Sequence, residues 1–209
     1  MKGVSIALYS LLQKVIRMLS NKLLLLSLSM LLTVDAYSQV TDIDGNQYQT
    51  IEIGNLEWMA SNLRVTKSSE GRQLNIYPPN QQQDKTEKYG LLYDFNSATQ
   101  ACPLGWRLPG NFDWLELFEG ELQSNAGNYK AKNAWGVEVN KDTSGFSALP
   151  AGYGNNGEHP NKFTKVAIFW SKDMEDKEFG WTFILELNSE DIRQASQHLE
   201  YGFSVRCVR

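Results

Sequence analysis

Apolar and polar residues alternate at two levels at the front of the chain. Residues 40–43 and Gln47–Ile53 flank Asp44-Gly45, a pair that tolerates the positive φ of a tight hairpin turn, and Leu56 and Trp58 alternate around Glu57 just beyond Gly54-Asn55. This pattern predicts a three-stranded meander ending near Met59. Over residues 65–88 neither a period of two nor one of 3.6 is sustained, and Pro78-Pro79 and Gln81-Gln82-Gln83 interrupt the stretch. It reads as a long, mobile surface loop. Tyr89, Leu91, Tyr93 and Phe95 return to alternation and predict a strand over 89–95. Trp114, Leu115 and Phe118 then fall on one helical face, with Gly110 or Asn111 as cap and Asp113 near the positive end of the helix dipole. Trp181, Phe183, Leu185 and Leu187 alternate, as do Phe203, Val205 and Cys207, so the chain closes on two more strands. Short antiparallel strands, one or two helices and long irregular loops define an α+β domain.

The first 38 residues stand outside this pattern. Lys14, Arg17 and Lys22 precede a Leu/Ser/Met run over residues 23–32, about half the length that a bilayer-crossing helix needs. Ala36-Tyr37-Ser38 then supplies the small residues of a cleavage site, so residues 1–38 read as a secretory leader, with Met1 or Met18 as the start. The expected mature chain is a single domain over residues 39–209, exported to the periplasm, the cell surface or the exterior, with no stable membrane span after cleavage. Removing four basic residues and one acidic residue with the leader takes the formal charge from −4 to −7. Nucleic acid is therefore excluded as an expected partner, because it demands a basic surface. Export also places the chain's two cysteines, Cys102 and Cys207, in an oxidising compartment, where a lone pair is expected to form a disulfide.

Six blocks, in order, resemble one family. Asp42-Ile43-Asp44-Gly45-Asn46 through Gly54, followed by Trp58-Met59-Ala60-Ser61-Asn62-Leu63-Arg64, resembles the opening of the Fibrobacter succinogenes major paralogous domain. Tyr89-Gly90-Leu91-Leu92-Tyr93 and Cys102-Pro103-Leu104-Gly105-Trp106-Arg107-Leu108-Pro109 with Trp114 resemble its middle. Gly145-Phe146-Ser147-Ala148-Leu149-Pro150-Ala151-Gly152-Tyr153, Phe169-Trp170-Ser171 and Gly202-Phe203-Ser204-Val205-Arg206-Cys207-Val208 resemble its end. The resemblance implies a C-type-lectin-like fold, shared with formylglycine-generating enzymes, and no settled activity. Three positions depart from the family pattern: Gly154 stands where Arg is usual, Lys172 where a small hydroxyl residue is usual, and Gly110 at the usual Ser/Thr cap.

Catalytic chemistry finds little support. His159 and His198 are the only histidines, and neither sits in a nucleophile–base motif. Asp113 with Glu116, and Glu119 with Glu121, could serve glycoside hydrolysis only across a cleft, and a solvated helix face accounts for them more simply. Calcium is disfavoured as a cofactor. Asp42-Ile43-Asp44-Gly45-Asn46 imitates the start of a calcium loop, yet Ile53 stands where the bidentate Glu belongs. The Glu-Pro-Asn and Trp-Asn-Asp triplets of sugar-binding C-type lectins are interrupted here, as Glu158-His159-Pro160-Asn161 and Trp170-Ser171-Lys172-Asp173. Aromatic and amide groups beside flexible backbone nominate Trp135, Tyr153, Asn155, Asn156, Glu158, Asn161 and Asp173 as ligand-binding residues. The expectation is an exported, non-catalytic domain that binds a glycan or an extracellular protein. The alternatives are a formylglycine-type or hydrolytic enzyme and a structural surface component.

Overall fold

A computed structural model describes residues 11–19, 38–123, 125–136, 141–155 and 162–209. The chain divides into two units, Met1–Ala36 and Tyr37–Arg209. Residues 11–19 of the first are helical (α1). The leader's apolar run, and its exit as far as Tyr37, lie outside the described residues. No helix among the described residues is long and apolar enough to cross a membrane.

The second unit opens with the meander. β1 (Gln39–Thr41), β2 (Gln47–Ile53) and β3 (Leu56–Met59) pair antiparallel in that order. Gly45 adopts φ 85° in the first turn, where only glycine is free of strain. Asp42 accepts hydrogen bonds from the backbone N–H groups of Asp44 and Asn46, from the Asn46 amide and from the Tyr48 hydroxyl. The apparent calcium loop is therefore a turn whose first carboxylate is consumed internally.

A six-stranded sheet forms the body, in the order β4 (Ile76–Tyr77), β5 (Leu92–Tyr93), β9 (Phe203–Ser204), β6 (Val166–Met174), β7 (Phe179–Glu186) and β8 (Ile192–His198). It separates two hydrophobic cores, because successive strand residues point to opposite faces. Ala167, Phe169, Phe183 and Leu185 meet Trp58, Trp114, Trp135 and Phe146 on one side. Val166, Ile168, Trp170 and Ile184 meet Tyr93, Phe95 and Phe203 on the other. Trp114 of α4 (Asn111–Leu117) lies 5.4 Å from Phe169 and 5.5 Å from Phe183 between ring centroids.

Three expectations are corrected. Four helices are present among the described residues, where one or two were expected: α1, α2 (Thr86–Tyr89), α3 (Phe95–Ala101) and α4. The strands are neither all antiparallel nor all short, since β6 pairs parallel with β9 and runs for nine residues. The described chain is α+β, but with a mixed sheet and more helices than the one or two expected. The strand expected over 89–95 is three elements instead. Tyr89 ends α2, Gly90 turns the chain at φ 78°, and the Asp94 carboxylate caps α3 by accepting from Ser97 N–H at 2.8 Å. Nor is 65–88 a featureless loop. Val65 and Leu74 are buried, Lys67 bridges Gln73, and the Ser68 hydroxyl accepts from the N–H groups of Glu70 and Arg72.

α4 is anchored by charge. Asp113 accepts from Gly110 N–H at 2.6 Å and takes a two-pronged bond from Arg107. The Arg107 guanidinium, foremost, holds the Asp113 carboxyl below its ordinary value. A depressed carboxylate stabilises the fold above the unfolded-state pKa, roughly 4, and that contribution is lost as pH falls through the folded value. Thermal melts of the native chain and Asp113→Asn should therefore be separated at pH 7 and converge as pH drops below about 4. A gap that is constant with pH would show that the carboxylate contributes nothing through ionisation.

Candidate functional site

The register of the large sheet builds a groove. Ile168 pairs with Ile184, and Ile184 with Arg193, which places Val166, Ile168, Ile184, Glu186, Arg193 and Gln197 on one face. α3 covers part of that face near Trp170 and leaves the rest as a cavity of about 230 Å³. Its floor is apolar: Val166, Ile168, Ile184 and Phe203. Its rim carries Tyr153, Tyr201, Gln197, Lys162 and the Glu186–Arg193 ion pair, 3.5 Å long. Tyr153, Lys162, Val166 and Glu186 also line an adjoining trough of about 1070 Å³.

The two tyrosines are held by a glycine bridge. Gly154 and Gly202 exchange backbone hydrogen bonds of 2.7 and 2.8 Å, and this sets Tyr153 beside Tyr201 with ring centroids 6.3 Å apart at 84°. Tyr77 lies across both glycines. A Cβ on Gly154 would stand 2.6 Å from the Tyr77 ring, and one on Gly202 only 2.4 Å from it. No side chain fits at either position unless Tyr77 moves.

Of the nominated residues, Tyr153 and Asn155 come together near this groove. Asn155 lines a neighbouring hollow of about 390 Å³ with Gln197, His198 and Tyr201, and its buried Nδ2 has no hydrogen-bond partner among the described residues. Asn156, Glu158, His159 and Asn161 lie outside the described residues. Trp135 is elsewhere, in the core, where its Nε1 donates to the Ala148 carbonyl at 2.9 Å and Lys130 Nζ sits 5.3 Å from its ring. Asp173 accepts from Asn111 N–H at 2.6 Å and so serves the start of α4. Tyr201, Glu186, Arg193, Gln197 and Lys162 escaped the sequence reading.

The remaining chemical candidates are accounted for. Cys102 and Cys207 form a disulfide, with Cα atoms 5.8 Å apart. Glu116 accepts from the Asn55 amide at 2.9 Å, and Asp113 is engaged by Arg107. His198 accepts from Glu200 N–H at the end of β8. No group of three metal-ligating side chains occurs among the described residues. A second cavity, of about 420 Å³, lies against Cys102, Leu104 and Trp106. Two of its cations are engaged locally, Arg72 by Glu70 and Arg107 by Asp113, Lys172 lines it as well, and Arg209 covers the Trp106 ring at 5.0 Å.

Arg206 joins three of the sequence blocks. It is fully buried, and its guanidinium donates to the Phe146 carbonyl, to Asn62 Oδ1 at 2.7 Å and to the Ser147 carbonyl at 3.5 Å. It also lies over the Phe146 ring at 4.2 Å. The sequence profile of the Fibrobacter succinogenes major domain matches residues 51–209, a span that contains Asn62, Phe146, Ser147 and Arg206. The chain belongs to this family. No curated protein and no solved structure matches it.

The departures from the Fibrobacter succinogenes major domain pattern now have physical reasons. Arg in place of Gly154 would collide with Tyr77. Gly110 and Lys172 compensate each other, because Lys172 Cε lies 2.8 Å from where a Gly110 Cβ would stand. A larger residue at one position requires a smaller one at the other.

Proposed function

We propose that this member of the Fibrobacter succinogenes major domain family is an exported, non-catalytic binding domain whose groove holds a glycan. The observation that carries the reading is the pair of near-perpendicular tyrosines over an apolar floor, rimmed by a carboxylate, a guanidinium and an amide. A sugar ring presents an apolar face to an aromatic ring and hydroxyls to planar hydrogen-bonding groups, and the groove offers both. Export is supported by the basic front, apolar run and small-residue exit of residues 1–38.

A glycan array probed with residues 39–209, followed by calorimetry on each hit, tests this. Tyr201→Ala and Tyr153→Ala are each expected to weaken binding about tenfold, equivalent to about 1.4 kcal/mol. Hits that ignore both substitutions, or a blank array, would overturn the assignment and leave an extracellular protein as the partner to seek.

A further inference from the structure

Resting on that reading, we infer that the groove selects an anionic, carboxylate-bearing glycan. The chain is acidic overall, at −4, yet among the described residues the charges lining the groove and its trough run the other way: Lys162, Lys165 and Arg193 against Glu186. Arg193 is balanced by Glu186 at 3.5 Å. Lys162 and Lys165 are exposed and enter none of the ion pairs formed among the described residues. Glu190, with Glu186, acts on the buried Lys130, whose ammonium donates to the Ser189 carbonyl at 2.6 Å. Glu200 lines the separate hollow on the far side of Tyr201.

Backbone strain supports the assignment independently. Lys162 adopts φ 45° and Thr164 φ 65°, a left-handed conformation that is an outlier for a β-branched residue. The turn is held in place from outside. Thr164 N–H donates to the Pro150 carbonyl at 2.9 Å, and Leu187 N–H to the Lys165 carbonyl at 2.8 Å. Strain that its surroundings over-determine concentrates at ligand sites. Here it sets Lys162 on the lining shared by the tyrosine groove and the trough, and Lys165 on the trough alone. A chain of sugar rings seated against Tyr153 and Tyr201 would pass its substituents across these lysines. Carboxylates at those substituents gain two charge contacts that neutral hydroxymethyl groups lack.

Titration calorimetry with trigalacturonic acid and with galactotriose of the same linkage tests the inference. Two exposed charge contacts predict that the acid binds about fivefold more tightly at low salt. Raising the salt from about 50 to 500 mM should erase the difference by screening. The Lys162→Gln/Lys165→Gln variant should lose the preference for the acid, so that the two trimers bind with equal affinity whatever the change in the affinity itself. Equal, Tyr201-dependent binding of both trimers would overturn the charge assignment and leave the glycan groove standing. Binding of neither trimer would overturn both.

Discussion

Replacing Arg206 with alanine is expected to lower the unfolding free energy by about 3–5 kcal/mol, a large share of a typical domain's stability. The magnitude follows from what the side chain leaves behind. The guanidinium is fully buried, and no carboxylate among the described residues forms an ion pair with it. Instead, the Phe146 and Ser147 carbonyls and the Asn62 amide oxygen accept its hydrogens, and the Phe146 and Phe169 rings face its carbon at 4.2 and 5.7 Å. Burial pushes its pKa down to about 9, so it remains protonated at neutral pH. Truncation strands buried acceptors at about 1–3 kcal/mol each and opens a cavity between two aromatic rings. Arg206→Lys should recover only part of the loss, because one ammonium cannot span both Asn62 and the residue 146–147 carbonyls. Urea unfolding checks this: the midpoint should fall with the slope unchanged. A loss under about 1 kcal/mol would show that the guanidinium is dispensable to the scaffold.

Removing the disulfide should cost a similar amount by a different route. Cys102 and Cys207 lie 105 residues apart, and closing a loop of that size restricts the unfolded chain by about 4–5 kcal/mol in the chain-entropy model. The Cys102→Ala/Cys207→Ala variant should melt about 8–16 °C lower. Its urea slope should also rise, because the untethered denatured chain exposes more surface. That rise separates it from Arg206→Ala, which acts on the folded state. A drop of less than about 2 °C would mean that the surrounding packing already fixes the last strand against the segment after α3.

How far the sequence carried the fold can be judged element by element. Asp44-Gly45 and the flanking alternation located the meander, because turn chemistry and strand period agree there. Trp114 and Phe118 located α4 for the same reason. Tyr89–Phe95 misled, because apolar residues two apart in sequence belong to a helix end, a two-residue strand and a helix start. Within it, Asp94 followed three residues later by Ser97 was a usable cap signal. β8 was hidden because it is an edge strand with one buried apolar residue, Ile192. The groove was half legible. Tyr153 and Asn155 stand out beside their glycines, whereas Glu186, Arg193 and Gln197 share a face only through the β7–β8 register. Trp135 misled in the other direction, since an aromatic among glycines and lysines reads as exposed until its neighbours are placed. Arg206 was visible as a motif letter, but no hydropathy pattern announces a cation in a core.

Amide chemical-shift mapping with trigalacturonic acid tests the central claim most directly. Shifts confined to Tyr153, Lys162, Lys165, Ile184, Arg193, Gln197, Tyr201 and Gly202, with Trp135 and Asp173 unmoved, are the predicted result. Shifts centred on Leu104 and Trp106, or none at all, would contradict the account.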